Sequence, residues 1–336
     1  MNLQLKNWKN KFKKMIIDEK NSKMWSMIGS RAAFGLTMLE LGKKNNLMVL
    51  TADTSTSAGL DRFKKTFPEK FLDVGIAEQN LIGIATGLAS EGVNVFTATF
   101  GPFQTMRCCE QIKVNVGYMK HKICMIGLAS GVVLGTLGYT HCCIEDISIM
   151  RSIPGITVIS PADCTETVKA TQAAMEHKNS VYIRLTGGMN QPVVFNNDYN
   201  FEIGKGVKLL DEGDVSIVAT GTMVHKSLEA SKILKEKGII TKVINIHTIK
   251  PIDEKLINEL SANSKLLVSV EEHSVIGGLG SAIADYKSTL KNAPPQLFIG
   301  LPNEYKKSGE YDDILDNYGL TSEKIAKTIE NKYKSL

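Results

Sequence analysis

The chain predicts an α/β protein of two doubly wound units, a larger one followed by a smaller one. Three observations carry this. Short apolar runs alternate with segments of helical period along nearly the whole sequence, the pattern of a parallel sheet covered on both faces. A polar, turn-rich stretch from Gly187 to Glu202, GGMNQPVVFNNDYNFE, interrupts that alternation once and reads as a linker. The length of 336 residues is enough for two full cores. The expected organisation is a basic arm over 1–24, a first domain over 25–190, a linker over 191–204 and a second domain over 205–336.

In the first domain, Gly29 to Leu41 reads as a helix and Leu47 to Thr51 as a strand. Phe71 to Val74 is a short strand and Gln79 to Ser90 a helix. Val93 to Thr99 is a strand, and Pro102 to Gly117 a helix with Pro at its start, where the missing N–H costs nothing. Lys122 to Leu128, Ile156 to Ser160 and Val181 to Leu185 are further strands. Ile144 to Arg151 and Asp163 to His177 are the helices between them. In the second domain, Val215 to Ala219, Lys242 to Ile246, Leu266 to Glu271 and Leu297 to Ile299 are strands. Met223 to Lys237, Asp253 to Leu260 and Gly277 to Leu290 are helices.

Charge is uneven. Residues 1–24 hold seven lysines against Asp18 and Glu19, so the arm carries the whole formal excess of +5. Leu5, Trp8, Phe12, Met15 and Ile16 recur on one side of it, which suits an amphipathic helix packed on the protein or a partner subunit. The body shows no basic stripe with interleaved aromatics, so nucleic acid is not an expected partner. No apolar run reaches membrane-spanning length, and no leader with an apolar core opens the chain. The six cysteines, two pairs of them adjacent in sequence, have no zinc-like spacing. They read as reduced thiols of a cytoplasmic protein.

One stretch organises the rest. In FLDVGIAEQNLIGIATGLASEG, Phe71 to Gly92, an apolar strand ends at a glycine, and Glu78 opens a helix of small and apolar residues. Gly83, Ala85, Gly87 and Ala89 would let another backbone approach closely. The carboxyl end of a strand is where α/β folds bind ligands. The plainer role for Glu78 is a solvated acid favoured by the positive end of the helix dipole.

The string DVGIAEQN with its Gly/Ala-rich helix resembles the pyrimidine-binding domain of the transketolase family of thiamine-diphosphate enzymes. DVSIVATGTMV, VINIHTIKPID and VSVEEHSVIGGLGSAIAD resemble that family's C-terminal domain. The resemblance runs from about Met27 to Lys332 and implies a pyrimidine-binding domain followed by a smaller transketolase C-terminal-like domain. It implies that Glu78 hydrogen-bonds N1′ of the cofactor's aminopyrimidine. An acid in a dry apolar slot can share a proton with that ring and favour the imino tautomer, whose nitrogen removes the thiazolium C2 proton.

The resemblance also fills in the pocket. Ile76 belongs to the cofactor-binding string. Phe100 and Phe103, in Thr99-Phe100-Gly101-Pro102-Phe103, match aromatics that stack on the aminopyrimidine, and core packing is their plainer role. Arg107, Glu110 and Gln111 match a pattern of split subunits and read as interface or helix residues. His141, in GYTHCCIED, matches a histidine of the substrate channel, where a group titrating near neutrality can exchange a proton with substrate oxygens. Its plainer role is a loop histidine satisfied by the backbone. His273, in EEHS, supports the pocket or the interface. Arg31 matches a phosphate-binding arginine, suited to bidentate contacts, and Ser57 a phosphate-binding serine.

Three positions depart from the family. Leu137 stands where many transketolases have an Asp that reads a sugar hydroxyl. Ala129 replaces a channel histidine, and Gly187 an arginine. Losing such partners typically costs a few kcal/mol of binding, so an unusual or modified sugar is the expected substrate.

No GDG…N motif for diphosphate and Mg²⁺ is present, and GGLG at Gly277 to Gly280 is too weak for a phosphate cradle. Full-length family members are much longer. The expected protein is therefore the C-terminal-half subunit of a split transketolase. It would work with a partner that carries the diphosphate-binding domain and most contacts to Mg²⁺, in an α2β2 assembly. It would move a two-carbon ketol unit from a ketose to an aldehyde. The alternatives are a deoxyxylulose-phosphate-synthase-like subunit, a 2-oxoacid dehydrogenase β-type subunit, or a non-catalytic structural subunit.

Overall fold

The structure, a computed structural model, describes residues 15–43 and 45–336. Most of the expected basic arm lies outside the described residues. Helix α1 (Glu19–Gly42) begins within the stretch assigned to the arm and runs across the expected boundary at residue 24. The Asp18 side chain accepts the Asn21 N–H at 2.8 Å, a cap for its first turn. The helix kinks at Gly29 (φ 83°, ψ 166°), so 30–42 matches the predicted helix and 19–28 precedes it. A Cβ at Gly29 would lie 2.5 Å from the Gly188 carbonyl oxygen, so both the conformation and the close approach require glycine.

The strands of the first unit are β1 (Leu47–Thr51), β2 (Phe71–Asp73), β3 (Asn94–Phe100), β4 (Ile123–Leu128), β5 (Ile156–Ile159) and β6 (Ser180–Arg184). Its remaining helices are α2 (Asp61–Thr66), α3 (Glu78–Ser90), α4 (Gly101–Gln104), α5 (Cys109–Gln111), α6 (Asp146–Ser152) and α7 (Cys164–Glu176). The second unit has β7 (Val207–Leu210), β8 (Val215–Ala219), β9 (Thr241–Asn245), β10 (Thr248–Lys250), β11 (Leu266–Ser274) and β12 (Gln296–Leu301). Its helices are α8 (Met223–Glu236), α9 (Glu254–Ala262), α10 (Leu279–Lys287), α11 (Tyr311–Asn317) and α12 (Ser322–Lys334).

The larger sheet has the order β10-β5-β6-β4-β3-β1-β2, parallel except for β10. The chain leaves β1 toward one edge and β3 toward the other, which opens a crevice beyond their carboxyl ends. The two faces follow the period-2 alternation of the strands. Phe96 and Ala98 pack with Phe34 and Met38 of α1 and Ala170 and Ala174 of α7. Val95 and Met125 pack on the other face with Leu81, Ile82 and Ala85 of α3.

The smaller sheet, β12-β11-β8-β9-β7, is parallel except for β7. Strand β10 leaves this unit and pairs antiparallel with β5, closing one edge of the larger sheet. The two units therefore share a hydrogen-bonded sheet as well as a continuous apolar core.

A buried polar cluster locks the same junction. The Arg184 guanidinium meets both carboxylate oxygens of Asp146 at 3.0 and 2.8 Å and donates to the carbonyls of Cys143 and Glu272. The Tyr182 hydroxyl donates to Asp146 at 2.7 Å. Glu272 accepts from the Val132 N–H and from the hydroxyls of Thr222 and Tyr311. The neighbouring Glu271 accepts the Leu279 and Gly280 N–H groups that open α10. His273 accepts the Ile147 N–H through Nε2, and its Nδ1–H donates to the Ser274 carbonyl. The EEHS motif is thus an interdomain clamp.

One predicted helix is corrected. Pro102 to Gly117 is not continuous: α4 and α5 are separate turns, followed by a π-helical stretch from Ile112 to Tyr118. The Arg107 N–H reaches back five residues to the Pro102 carbonyl at 3.1 Å instead of four, so the helix ladder loses its register between α4 and α5. The resulting break turns residues 105–108 back toward the start of α3.

Candidate functional site

Asp73 builds the turn that presents Glu78. Its carboxylate accepts the N–H groups of Asp53 and Gly75 and the Thr51 hydroxyl. Burial alone would raise the Asp73 pKa, but these bonds and nearby Lys64 outweigh it and hold the group below the usual carboxylate range. Gly75 (φ 71°) completes the reversal, and α3 starts at Glu78.

The Glu78 side chain is only 4% exposed. Its Oε1 accepts from Arg107 Nη1 at 2.8 Å, so the acid faces a cation and not the purely apolar slot expected from sequence. The Arg107 guanidinium lies 3.9 Å from the centroid of Phe103. Gln79 Nε2 donates to the Arg107 carbonyl at 3.2 Å and ties the two segments together. Arg107, expected to be an interface or helix residue, is therefore a neighbour of Glu78.

Phe100 ends β3 and Phe103 lies in α4. Their ring centroids are 6.2 Å apart, edge to face. His141 joins them, at 6.4 Å from Phe100 and 5.4 Å from Phe103. His141 sits on the loop after β4, whose ends are pinned by paired backbone bonds between Gly131 and Cys143. Its Nδ1 lies 3.0 Å from the Thr140 hydroxyl oxygen. Glu78, Phe100, Phe103 and His141, chosen from three separate motifs, thus converge beyond the carboxyl ends of neighbouring strands. Ile76 is close to Glu78 in sequence but 78% exposed.

Arg31, in α1, and Ser57 lie on neighbouring segments. Ser57 follows β1, and a Cβ at Gly59 in that loop would meet the Arg31 carbonyl oxygen at 2.9 Å. The adjacent Ser30 donates to the Thr186 carbonyl beyond β6. Burial lowers the Arg31 pKa, with no acid beside it to raise it again. No direct contact links this pair to Glu78 or His141.

The departing positions also have locations. Ala129 adopts a positive φ of 48° at the end of β4, and Leu137 is exposed on the His141 loop. Gly187 has φ 74°, and a Cβ there would meet Gln191 Nε2 at 2.2 Å, so that site is built around the missing side chain.

On α3, a Cβ placed at Gly83 or Gly87 would meet nothing within 4 Å among the described residues. Ala85 is buried against the sheet. The small-residue approach expected from sequence is not made by this chain's own described backbone.

Comparison with known proteins matches this geometry. Residues 26–190 match the transketolase pyrimidine-binding domain and residues 204–325 the transketolase C-terminal domain. A Methanocaldococcus jannaschii protein described as a transketolase C-terminal section is 41% identical, over 91% of this chain and 96% of that one. One subunit of the apulose-4-phosphate transketolase of Phocaeicola vulgatus is 35% identical over 90% of this chain and 97% of its own length. The 6-deoxy-6-sulfo-D-fructose transketolase subunit SqwH of a Clostridium species is 37% identical over 86% of this chain and 90% of its own. A solved structure described as a split gene transketolase, inactive beta4 tetramer, superposes with a TM-score of 0.82 at 38% identity, covering 90% of this chain and 97% of that one. The chain belongs to the thiamine-diphosphate-dependent transketolase family, with that family's pyrimidine-binding and C-terminal domains in one polypeptide.

Proposed function

We propose that the chain is the C-terminal-half subunit of a split transketolase. It would transfer a two-carbon ketol unit between a ketose and an aldehyde, with a partner that carries the diphosphate-binding domain and Mg²⁺ in an α2β2 assembly. The observation that carries this reading is the buried Glu78 carboxylate opening α3 beside the Phe100, Phe103 and His141 rings. A buried acid linked through Arg107 to an aromatic group fits a flat, protonatable aminopyrimidine. Thiamine diphosphate supplies the nucleophilic carbon and electron sink when bound.

The chain's own residues supply the rest. Glu78 would share a proton with a nitrogen of the pyrimidine, and Phe100 and Phe103 would hold the ring by stacking. His141 Nδ1 pairs with the Thr140 hydroxyl, which orients the ring so that Nε2 can hydrogen-bond a sugar oxygen. Arg31, without an acid partner, and Ser57 suit an anionic substituent at the far end of the substrate. Leu137, Ala129 and Gly187 withhold the polar contacts of ordinary pentose phosphates, which favours a modified sugar. The two relatives named for apulose 4-phosphate and sulfofructose support that direction.

A second reading rests on the 36% identity to the 1-deoxy-D-xylulose-5-phosphate synthase of Caldanaerobacter subterraneus. The match covers 90% of this chain and 49% of that protein. Consumption of pyruvate with an aldehyde phosphate would favour it.

The test is calorimetric titration of thiamine diphosphate with Mg²⁺ into the chain alone and mixed with a diphosphate-domain partner, alongside turnover of β-hydroxypyruvate. Tight binding and turnover confined to the mixture, with at most weak binding by the chain alone and turnover lost in Glu78→Ala, are expected. No cofactor binding by a partner complex that demonstrably forms would overturn the catalytic reading.

A further inference from the structure

We infer that Arg107 is a built-in occupant of the aminopyrimidine slot, which fills the pocket in the free subunit and must swing out for cofactor to enter. The inference rests on the cofactor role proposed for Glu78. A guanidinium and an aminopyrimidine are both flat, delocalised, nitrogen-rich groups that donate N–H bonds in their own plane. Arg107 uses both properties where the ring is needed. Its guanidinium stacks 3.9 Å from the Phe103 centroid, and Nη1 donates at 2.8 Å to the Glu78 carboxylate. Arg107 thereby covers one oxygen of the acid and one face of Phe103, the two surfaces an aminopyrimidine would use.

The arrangement is also built to be reversible. Glu78 is buried, but the Arg107 side chain is 42% exposed, so it can leave toward solvent. Its main chain need not follow: the carbonyl is held by Gln79 Nε2, and the adjacent Cys108 thiol donates to the Phe103 carbonyl. Rotation about side-chain bonds alone vacates the slot. An unloaded subunit thereby keeps its buried carboxylate paired, and cofactor binding gains only the surplus over this internal contact.

The test uses thiamine, which carries the pyrimidine without the diphosphate and so needs no partner domain. Ligand-observed saturation-transfer NMR on the pyrimidine protons measures its affinity for the full-length wild type, Arg107→Ala and Arg107→Lys. Arg107→Ala is expected to bind thiamine about tenfold more tightly than wild type, about 1.4 kcal/mol. Lysine keeps the charge but lacks the flat group, so Arg107→Lys should fall between the two. Guanidinium chloride at tens of millimolar should displace thiamine from Arg107→Ala, because free guanidinium refills the slot. Equal or weaker binding by Arg107→Ala, including no binding by either protein, overturns the inference. Thermal unfolding checks that each variant is folded, and Arg107→Gln replaces the alanine variant if it is not. Should Arg107→Ala gain nothing while the mixed subunits bind cofactor and turn over, the slot-filling role falls alone. Should the mixed subunits bind no cofactor, the functional reading falls with it.

Discussion

Two arginine–carboxylate pairs in this molecule have the same 2.8 Å contact and opposite characters. Arg184 and Asp146 are 1% and 0% exposed, and they are further held by Tyr182 and by the Cys143 and Glu272 carbonyls. Arg107 and Glu78 are 42% and 4% exposed, and Arg107 holds its acid through one nitrogen and one stacked ring. Contact length does not separate structural from exchangeable pairs. What separates them is how many partners remain, and whether water can take over, when one side chain moves. The first pair joins two domains and has nowhere to go. The second has its arginine open to solvent, which is what the proposed exchange for a ligand requires.

The strongest way to break this contrast is to remove each arginine and measure unfolding by denaturant. Arg184→Ala strands Asp146 in the interior and should cost about 3–5 kcal/mol, enough to leave little folded protein. A loss under 1 kcal/mol would show that water reaches the junction.

Acidification should act on the buried side through His273. Burial pushes its pKa down from 6.5 to about 4, with Asp146 opposing the shift and Arg184 adding to it. The unfolded chain therefore takes up that proton first as pH falls. The stability contributed by neutral His273 is complete above pH 6.5 and is lost toward pH 4, at up to about 1.4 kcal/mol per pH unit. Glu271, 3.8 Å away and raised by burial to about 7, works in the opposite direction, because the folded state binds its proton first. The difference between wild-type and His273→Gln stability curves isolates the histidine. It should slope between pH 6.5 and 4 and flatten above; a flat difference throughout would refute the neutral buried state.

The smallest effect is expected at the open pair. Arg107→Ala exposes one buried carboxylate to entering water and should cost no more than about 1 kcal/mol of stability. A loss as large as that of Arg184→Ala would make Arg107 a structural residue and erase the contrast.

Much of the scaffold was legible because its strands are continuous apolar runs bounded by glycines and polar turns. β1 and β8 occur with the predicted limits. What escaped was short or depended on distant partners. β10 has three residues and becomes a strand only because β5 offers an edge. The helix predicted over Pro102 to Gly117 breaks where the Arg107 N–H bonds the Pro102 carbonyl, a change of hydrogen-bond register that apolar periodicity does not show. The tail helices α11 and α12 were missed, although α12 is amphipathic and its Thr321 side chain accepts the Lys324 N–H as a cap.

The candidate site divides in the same way. The sequence by itself determined which chemistry was available: an acid at a strand-to-helix turn, two phenylalanines after the next strand, and a histidine in the loop after the one that follows. The family resemblance picked these residues out, and their places at the carboxyl ends of parallel strands agree with it. Only the tertiary structure decided what each group meets there. Glu78 and Arg107 lie in different elements, and their contact depends on a broken helix, a tight turn held by Asp73 and a bond from Gln79. Distance between side chains is a property of packing, so the cation facing the acid could be found only in the folded chain.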